Sequence, residues 1–225
     1  MSVQLLHSLV LVLAALALFA AFAVLGQARL LAAIHAFAWQ GALVAAVTLT
    51  VAVAESAPEL YFSAVLTFSL KALLIPWMLH RLVRRLGLSR HLDRPQHPML
   101  ATVFAVGMVM FAYWLVLPLV QSSLAFTRNI VAISLAVVLI GLLTLVVRRQ
   151  AVAQVLGFMA MENGLFLAAV SATHGMPLVV ELGVAFDVLI AAVLFGVFFF
   201  QLRESIDSLD VDRLDRLNEA REDQP

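Results

Sequence analysis

Lys71, Glu162 and Asp187 stand deep inside long apolar stretches of a chain that is otherwise poor in charge. Counted from the ends of their stretches, Lys71 and Glu162 each lie about 11 residues in, roughly 16 Å at the helical rise, and Asp187 about nine residues in, roughly 14 Å. Ionisable groups at such depth are costly, and they usually face a bundle interior or a water-filled space. Burial disfavours the charged form of an amine or a carboxyl, and an opposite charge nearby restores it. A lysine and two carboxylates at one depth can therefore pass a proton when their separations change. That is the chemistry of a proton relay. The competing reading is a structural ion pair that ties helices together. Glu181 lies only about three residues inside its stretch, roughly 5 Å, and sits nearer the interface.

The neighbouring residues favour a protein-lined site. Gly183, Asp187 and Ala191 are spaced by four and share one helix face, where small residues admit a second backbone. Ala160, Gly164 and Ala168 form a similar stripe, and Glu162 points about 200° away from it. Both faces of that helix then need protein contacts. Pro76 follows Lys71 by five residues. It has no N–H to give to the Ala72 carbonyl, so it kinks or opens the helix beside the lysine. An opened turn can admit water, and a kink can also serve shape alone.

The elements that carry these residues follow from composition. The chain has 225 residues, 64% of them hydrophobic and 12% charged, with 14 basic and 14 acidic side chains. Soluble domains average about 45–50% apolar and about 25% charged residues. A soluble enzyme, a disordered chain and a nucleic-acid binder are excluded on those figures. The absence of cysteine excludes thiolate-ligated clusters, disulfides and thiol nucleophiles in this sequence. Seven stretches reach the roughly 20 apolar residues a spanning helix needs. They run Val3–Leu25, Leu30–Ala54, Leu60–Leu79, Met99–Val120, Ile130–Val147, Ala151–Ala172 and Leu178–Leu202. Met1–Gln4 carries no basic residue, so the first stretch is expected to be a retained helix rather than a signal peptide. The expected fold is an all-α integral membrane protein, a bundle of seven transmembrane helices. With seven spans, twelve basic residues fall on one side and only Arg128 on the other. The excess of basic residues on the inner side then places the N-terminus outside and the C-terminus in the cytoplasm.

Other polar residues carry weaker signals. Arg81, Arg84 and Arg85 alternate with Leu82, Val83 and Leu86 in a basic loop that fits topogenic charge, or a short surface helix touching anionic lipid. His91 and His97 follow in the same loop, and His174 lies in an outer turn, with no metal-binding spacing. His35 and His80 lie at comparable depth on the inner side. Such a pair can ligate a b-type haem, but nothing else marks a haem crevice. Phosphate-loop, dinucleotide, serine-hydrolase and zinc-protease motifs do not occur. The charged tail after Leu202 spaces Ile206, Leu209, Val211, Leu214 and Leu217 by two or three, a loose amphipathic pattern that fits docking on a neighbour.

The segments Phe158-Met159-Ala160-Met161-Glu162-Asn163-Gly164 and Val180-Glu181-Leu182-Gly183-Val184-Ala185-Phe186-Asp187 resemble hydrogenase-4 component E. Lys71-Ala72-Leu73-Leu74-Ile75-Pro76 and Leu209-Asp210-Val211-Asp212-Arg213-Leu214 fit the same resemblance. It covers nearly the whole chain and is strongest from about Leu143 onward. That family is a seven-span membrane subunit of complex-I-like assemblies, usually group 4 nickel–iron hydrogenases of the formate hydrogenlyase type. The last three spans are also similar to the K-type subunit of respiratory complex I and the C-type subunit of Mrp cation/proton antiporters, through Gly141–Arg149, Gly157 and Asn163. Here the sequence departs from the K-type pattern. Met159 holds the position of its first glutamate, with Glu162 one turn later. The second acid would fall near Ala191, with Asp187 one turn earlier.

The resemblance implies a non-catalytic subunit of a multi-subunit oxidoreductase in a bacterial inner membrane. Its partners would be antiporter-like and hydrogenase-like membrane subunits and the lipid bilayer, with no nucleic acid. Residues 1–125 would form a four-helix extension, 126–202 a three-helix K-like unit and 203–225 a cytoplasmic tail. Lys71, Glu162, Asp187 and Glu181 would lend themselves to a lateral proton or sodium path, with Pro76 as the kink. No cofactor is expected in this chain. The alternatives are a subunit of an Mrp-like antiporter and a purely structural assembly subunit, in which buried charges fix helix register.

Overall fold

A computed structural model of the protein describes residues 3–55, 58–85, 98–118, 125–172, 183, 185–193 and 196. The described chain is helical. In order, the elements are α1 (Val3–Gly26), α2 (Leu30–Glu55), α3 (Pro58–Thr67), a π-helical segment (Phe68–Leu74), α4 (Ile75–Arg85), α5 (Pro98–Val116), α6 (Ala125–Val147) and α7 (Ala151–Ala172). Residues 185–193 form a further helical segment. Six helices among the described residues are long and apolar enough to cross a membrane. Counted this way, α3, the π segment and α4 make one continuous span from Leu60 to Arg84. Except in α4, which carries Arg81, Arg84 and Arg85, apolar side chains all round the helices suit lipid on one side and packing on the other, and the helical backbone satisfies its own hydrogen bonds. The stretch predicted at Leu178–Leu202 lies mostly outside the described residues, as do the basic positions 86–97 and the tail after 200.

The third span differs from expectation at its C-terminal end. Its helix continues through Arg81 and Arg84 to Arg85 rather than stopping at Leu79. Leu82 and Val83 are buried there and extend the packed face beyond Leu79, while Arg81 lies over the Trp77 ring, 5.2 Å from its centroid. Arg81, Arg84 and Arg85 are therefore the end of a helix, not the start of a loop.

Short turns make chain neighbours into spatial neighbours. Three residues join α1 to α2 and three join α6 to α7. α1 packs on α2 and α6; α2 packs on α3, the π segment and α7; α5 packs on α6. The first four spans and the last two described spans thus interlock in one bundle. One core cluster runs through Val10, Ala14, Val47, Leu60, Ile130 and Val170, and a second through Ile34, Phe37, Ile75, Leu79, Leu156 and Met159.

Glycine sets how closely α6 and α7 approach. A Cβ on Gly164 would stand 2.7 Å from the Val138 backbone nitrogen, and one on Gly157 the same distance from that of Leu145. A Cβ on Gly141 would collide with the Met161 backbone. Side chains of any size would force the two helices apart. With that seam on one side of α7, Glu162 is turned toward the other.

Candidate functional site

The site is built on a break in helical regularity. The wide turns of Phe68–Leu74 end directly before Pro76, and the Ile75 N–H reaches back five residues to the Leu70 carbonyl. Proline has no N–H and its ring crowds the carbonyl four residues earlier. Widening the preceding turns relieves that crowding. Bulges of this kind often occur at functional sites. Lys71 lies in the middle of the widened segment. On its other side Gly41 of α2 brings its backbone close, since a Cβ there would stand 2.8 Å from Lys71 Cβ.

Lys71 is fully buried. Its ammonium nitrogen donates a hydrogen bond to Glu162 Oε2 on α7. The same nitrogen lies 3.3 Å from Asp187 Oδ1 and 4.9 Å from the centroid of the Phe166 ring, in cation–π range. Three separate helical segments thus meet at one nitrogen. Asp187 is itself fully buried, and its Oδ2 has no hydrogen-bond partner among the described residues. Gly183 sits where a Cβ would meet the Phe166 ring at 2.7 Å, so the glycine makes room for the ring that packs beside Lys71. A cavity of about 240 Å³ opens beside Glu162 and is otherwise lined by apolar residues, among them Phe158, Phe166 and Phe186.

Two amides adjoin this centre. Asn163 Nδ2 donates to Gln40 Oε1 at 3.3 Å, and Gln40 Nε2 reaches the Ala17 carbonyl on α1 at 3.5 Å. Both amides are completely buried. A chain of amides therefore runs from α7 through α2 to α1, starting at the residue after Glu162. The Gln40 and Phe166 contributions escape a search restricted to ionisable residues. The signal for Gln40 was available, as an amide in the middle of a span and next to Gly41.

Of the expected site residues, Lys71, Glu162 and Asp187 meet, and Pro76 follows the opened turn that carries Lys71. Glu181 lies outside the described residues. His35 and His80 are brought together edge to face, 6.1 Å between ring centroids at 70°. One nitrogen of His35, Nδ1, is held by the Leu31 carbonyl at 2.7 Å. His91, His97 and His174 lie outside the described residues.

A second buried cation has different surroundings. Arg148, counted by sequence as a loop charge, is only 2% exposed. Its guanidinium donates to the Leu25 carbonyl at 2.5 Å and to that of Gln27 at 2.7 Å, at the C-terminal end of α1.

Set beside known proteins, the chain is 33% identical over 192 residues to the uncharacterized protein Rv0085 of Mycobacterium tuberculosis, covering 84% of this chain and 86% of that protein. The chain belongs to the family of that protein. It is also similar to hydrogenase-4 component E of Escherichia coli K12, 24% identical over 181 residues, which is 80% of this chain and 84% of the relative. Hydrogenase-4 component E of Shigella flexneri matches to the same extent. No family model matches the chain, and no solved structure matches it significantly. This member of the Rv0085 family is a multi-span helical chain with a distant likeness to hydrogenase-4 component E.

Proposed function

We propose that the chain is an integral membrane subunit of a complex-I-related, hydrogenase-4-like multi-subunit oxidoreductase, connecting antiporter-like subunits in a bacterial inner membrane. In this reading it has seven spans, with the N-terminus outside and the C-terminus in the cytoplasm, in keeping with the one-sided distribution of its basic residues. The distant likeness to hydrogenase-4 component E supports the kind of assembly. Nickel–iron and iron–sulfur chemistry would belong to partner subunits. This chain would lend a lateral proton or sodium path the group formed by Lys71, Glu162 and Asp187.

The observation that carries the reading is the convergence of one buried lysine and two buried carboxylates from three spans. One ammonium faces two acids, so the cluster can carry an extra proton or an extra negative charge. When Lys71 leans toward Glu162, Asp187 is the better proton acceptor, and when it leans toward Asp187, Glu162 is. A proton arriving on one side can thereby leave on the other. Glu181 and the K-like division of the chain belong to the same proposal.

The test has two parts. A mild-detergent pull-down from the native membrane, with mass spectrometry, is expected to recover hydrogenase-like and antiporter-like subunits. Antiporter subunits alone would move the reading to cation/proton exchange of the Mrp type. Glu162→Gln and Asp187→Asn are then expected to leave the recovered complex intact and to remove ion transport in sealed vesicles. Transport that survives both substitutions would leave the cluster a structural tie.

A further inference from the structure

Hydroxyl side chains inside apolar helices normally satisfy themselves by donating to the carbonyl four residues back. Ser8, Thr48, Thr50, Ser69, Ser134 and Thr144 all do so, at 2.8–3.0 Å. Ser63 and Thr67 do not. Both are buried, 4% and 0% exposed, and neither hydroxyl has a hydrogen-bond partner among the described residues. A buried polar group left without a partner costs about 1–3 kcal/mol, and bound water is the usual remedy where space and partners allow.

Their position is as informative as their lack of partners. Ser63, Thr67 and Lys71 are spaced by four, so they form one row along the same helix face. Successive Cβ atoms in such a row are about 5–6 Å apart, a gap that one water bridges with two ordinary hydrogen bonds. The row starts near the Pro58 end of α3 and ends on the buried lysine. Ser69, on the same helical span but off this row, back-bonds to Val65 in the usual way.

We propose that Ser63 and Thr67 line a single-file water passage that joins the Pro58 end of the third span to Lys71. Its ligand is water, or the proton that water carries. The passage rests on the ion path proposed above and adds to it a vertical arm, by which the buried cluster exchanges protons with the face opposite Arg81 and Arg84. Ser63 and Thr67 are positioning residues that hold the water file; Lys71 is the group it reaches.

The chain contains no cysteine, so single cysteines can be read without background. Ser63→Cys, Thr67→Cys and the surface control Val65→Cys are introduced into the full chain in its native membrane. Silver ion is applied to one face of sealed vesicles. The remaining thiols are alkylated after denaturation and counted by mass spectrometry. Thiols react as thiolates, which form in water and not in hydrocarbon, so Ser63→Cys and Thr67→Cys are expected to react about tenfold or more faster than Val65→Cys, and only from the Pro58 face. Rates equal to that of Val65→Cys, or reaction only from the Arg81 and Arg84 face, would overturn the passage. Thr67→Val is further expected to lower ion transport severalfold while the complex still assembles. The two readings fail separately. Unreactive cysteines alongside transport lost in Glu162→Gln remove the passage alone. Side-specific labelling alongside full transport in Glu162→Gln and Asp187→Asn removes the lateral relay.

Discussion

Lys71 and Arg148 are both buried cations, and the bundle accommodates them in opposite ways. Arg148 gives its guanidinium to two backbone carbonyls at the end of α1, where the helix dipole already favours positive charge. Those acceptors cannot take up a proton, and a guanidinium does not release one. The arrangement is fixed. Lys71 instead gives its ammonium to two carboxylates on two other helical segments. In the proposed function this is the group that exchanges protons. One cation fastens a helix end, and the other pairs with two acids across the bundle.

That contrast is most exposed at Lys71 itself. Lys71→Met leaves two carboxylates buried without their cation, and breaking a buried pair from one side costs about 3–5 kcal/mol. Thermal unfolding of the purified chain in mild detergent should show this as the largest loss among these substitutions. The double substitution Lys71→Met with Glu162→Gln should recover part of it, because one uncompensated charge is gone. Recovery of nothing would mean that the pair is not the source of the cost.

The glycine seam comes next. Gly141→Val drives a side chain into the Met161 backbone, and overpacking of this kind costs about 1–3 kcal/mol. Stability should fall by that amount. Ion transport should fall with it, because the seam fixes the side of α7 on which Glu162 emerges. Loss of stability with full transport would show that the position of Glu162 tolerates the shift.

A crossed exchange of the two cations sharpens the comparison further. Arg148→Lys keeps the charge but loses the two-pronged donor, at about 1–2 kcal/mol. It should lower stability and leave transport unchanged. Lys71→Arg keeps a cation that does not titrate. It should leave assembly in place and stop proton transfer. If both variants lose transport, or neither does, the division into a fixed and an exchanging cation is wrong.

The smallest effect is expected at Phe166. Replacing it with leucine removes the ring beneath Lys71 and should cost about 0.5–2 kcal/mol, measured again by thermal unfolding.

The apolar stretches located the helices closely because a bilayer leaves few options. A spanning segment must be long, apolar and internally hydrogen-bonded. The second and sixth predicted spans end within one residue of the observed α2 and α7. The third was cut short at its arginines, since a charge looks like a loop unless its helix partners are known. Depth along the sequence also placed Lys71, Glu162 and Asp187 at one level, because helical rise is constant.

The sequence by itself therefore determined most of the helical segments and singled out Lys71, Glu162 and Asp187 as deep charges, while it left Arg148 in a loop. These depend on length, composition and a fixed rise per residue, all of which are local. Only the tertiary structure decided that Glu162 and Asp187 share the Lys71 nitrogen, that Asn163 pairs with Gln40, and that Arg148 binds the end of α1. Those contacts depend on how each helix is rotated about its axis. Rotation is set where backbones approach, at Gly41, Gly141, Gly157, Gly164 and Gly183. A glycine reveals in sequence that something comes near. It does not reveal what.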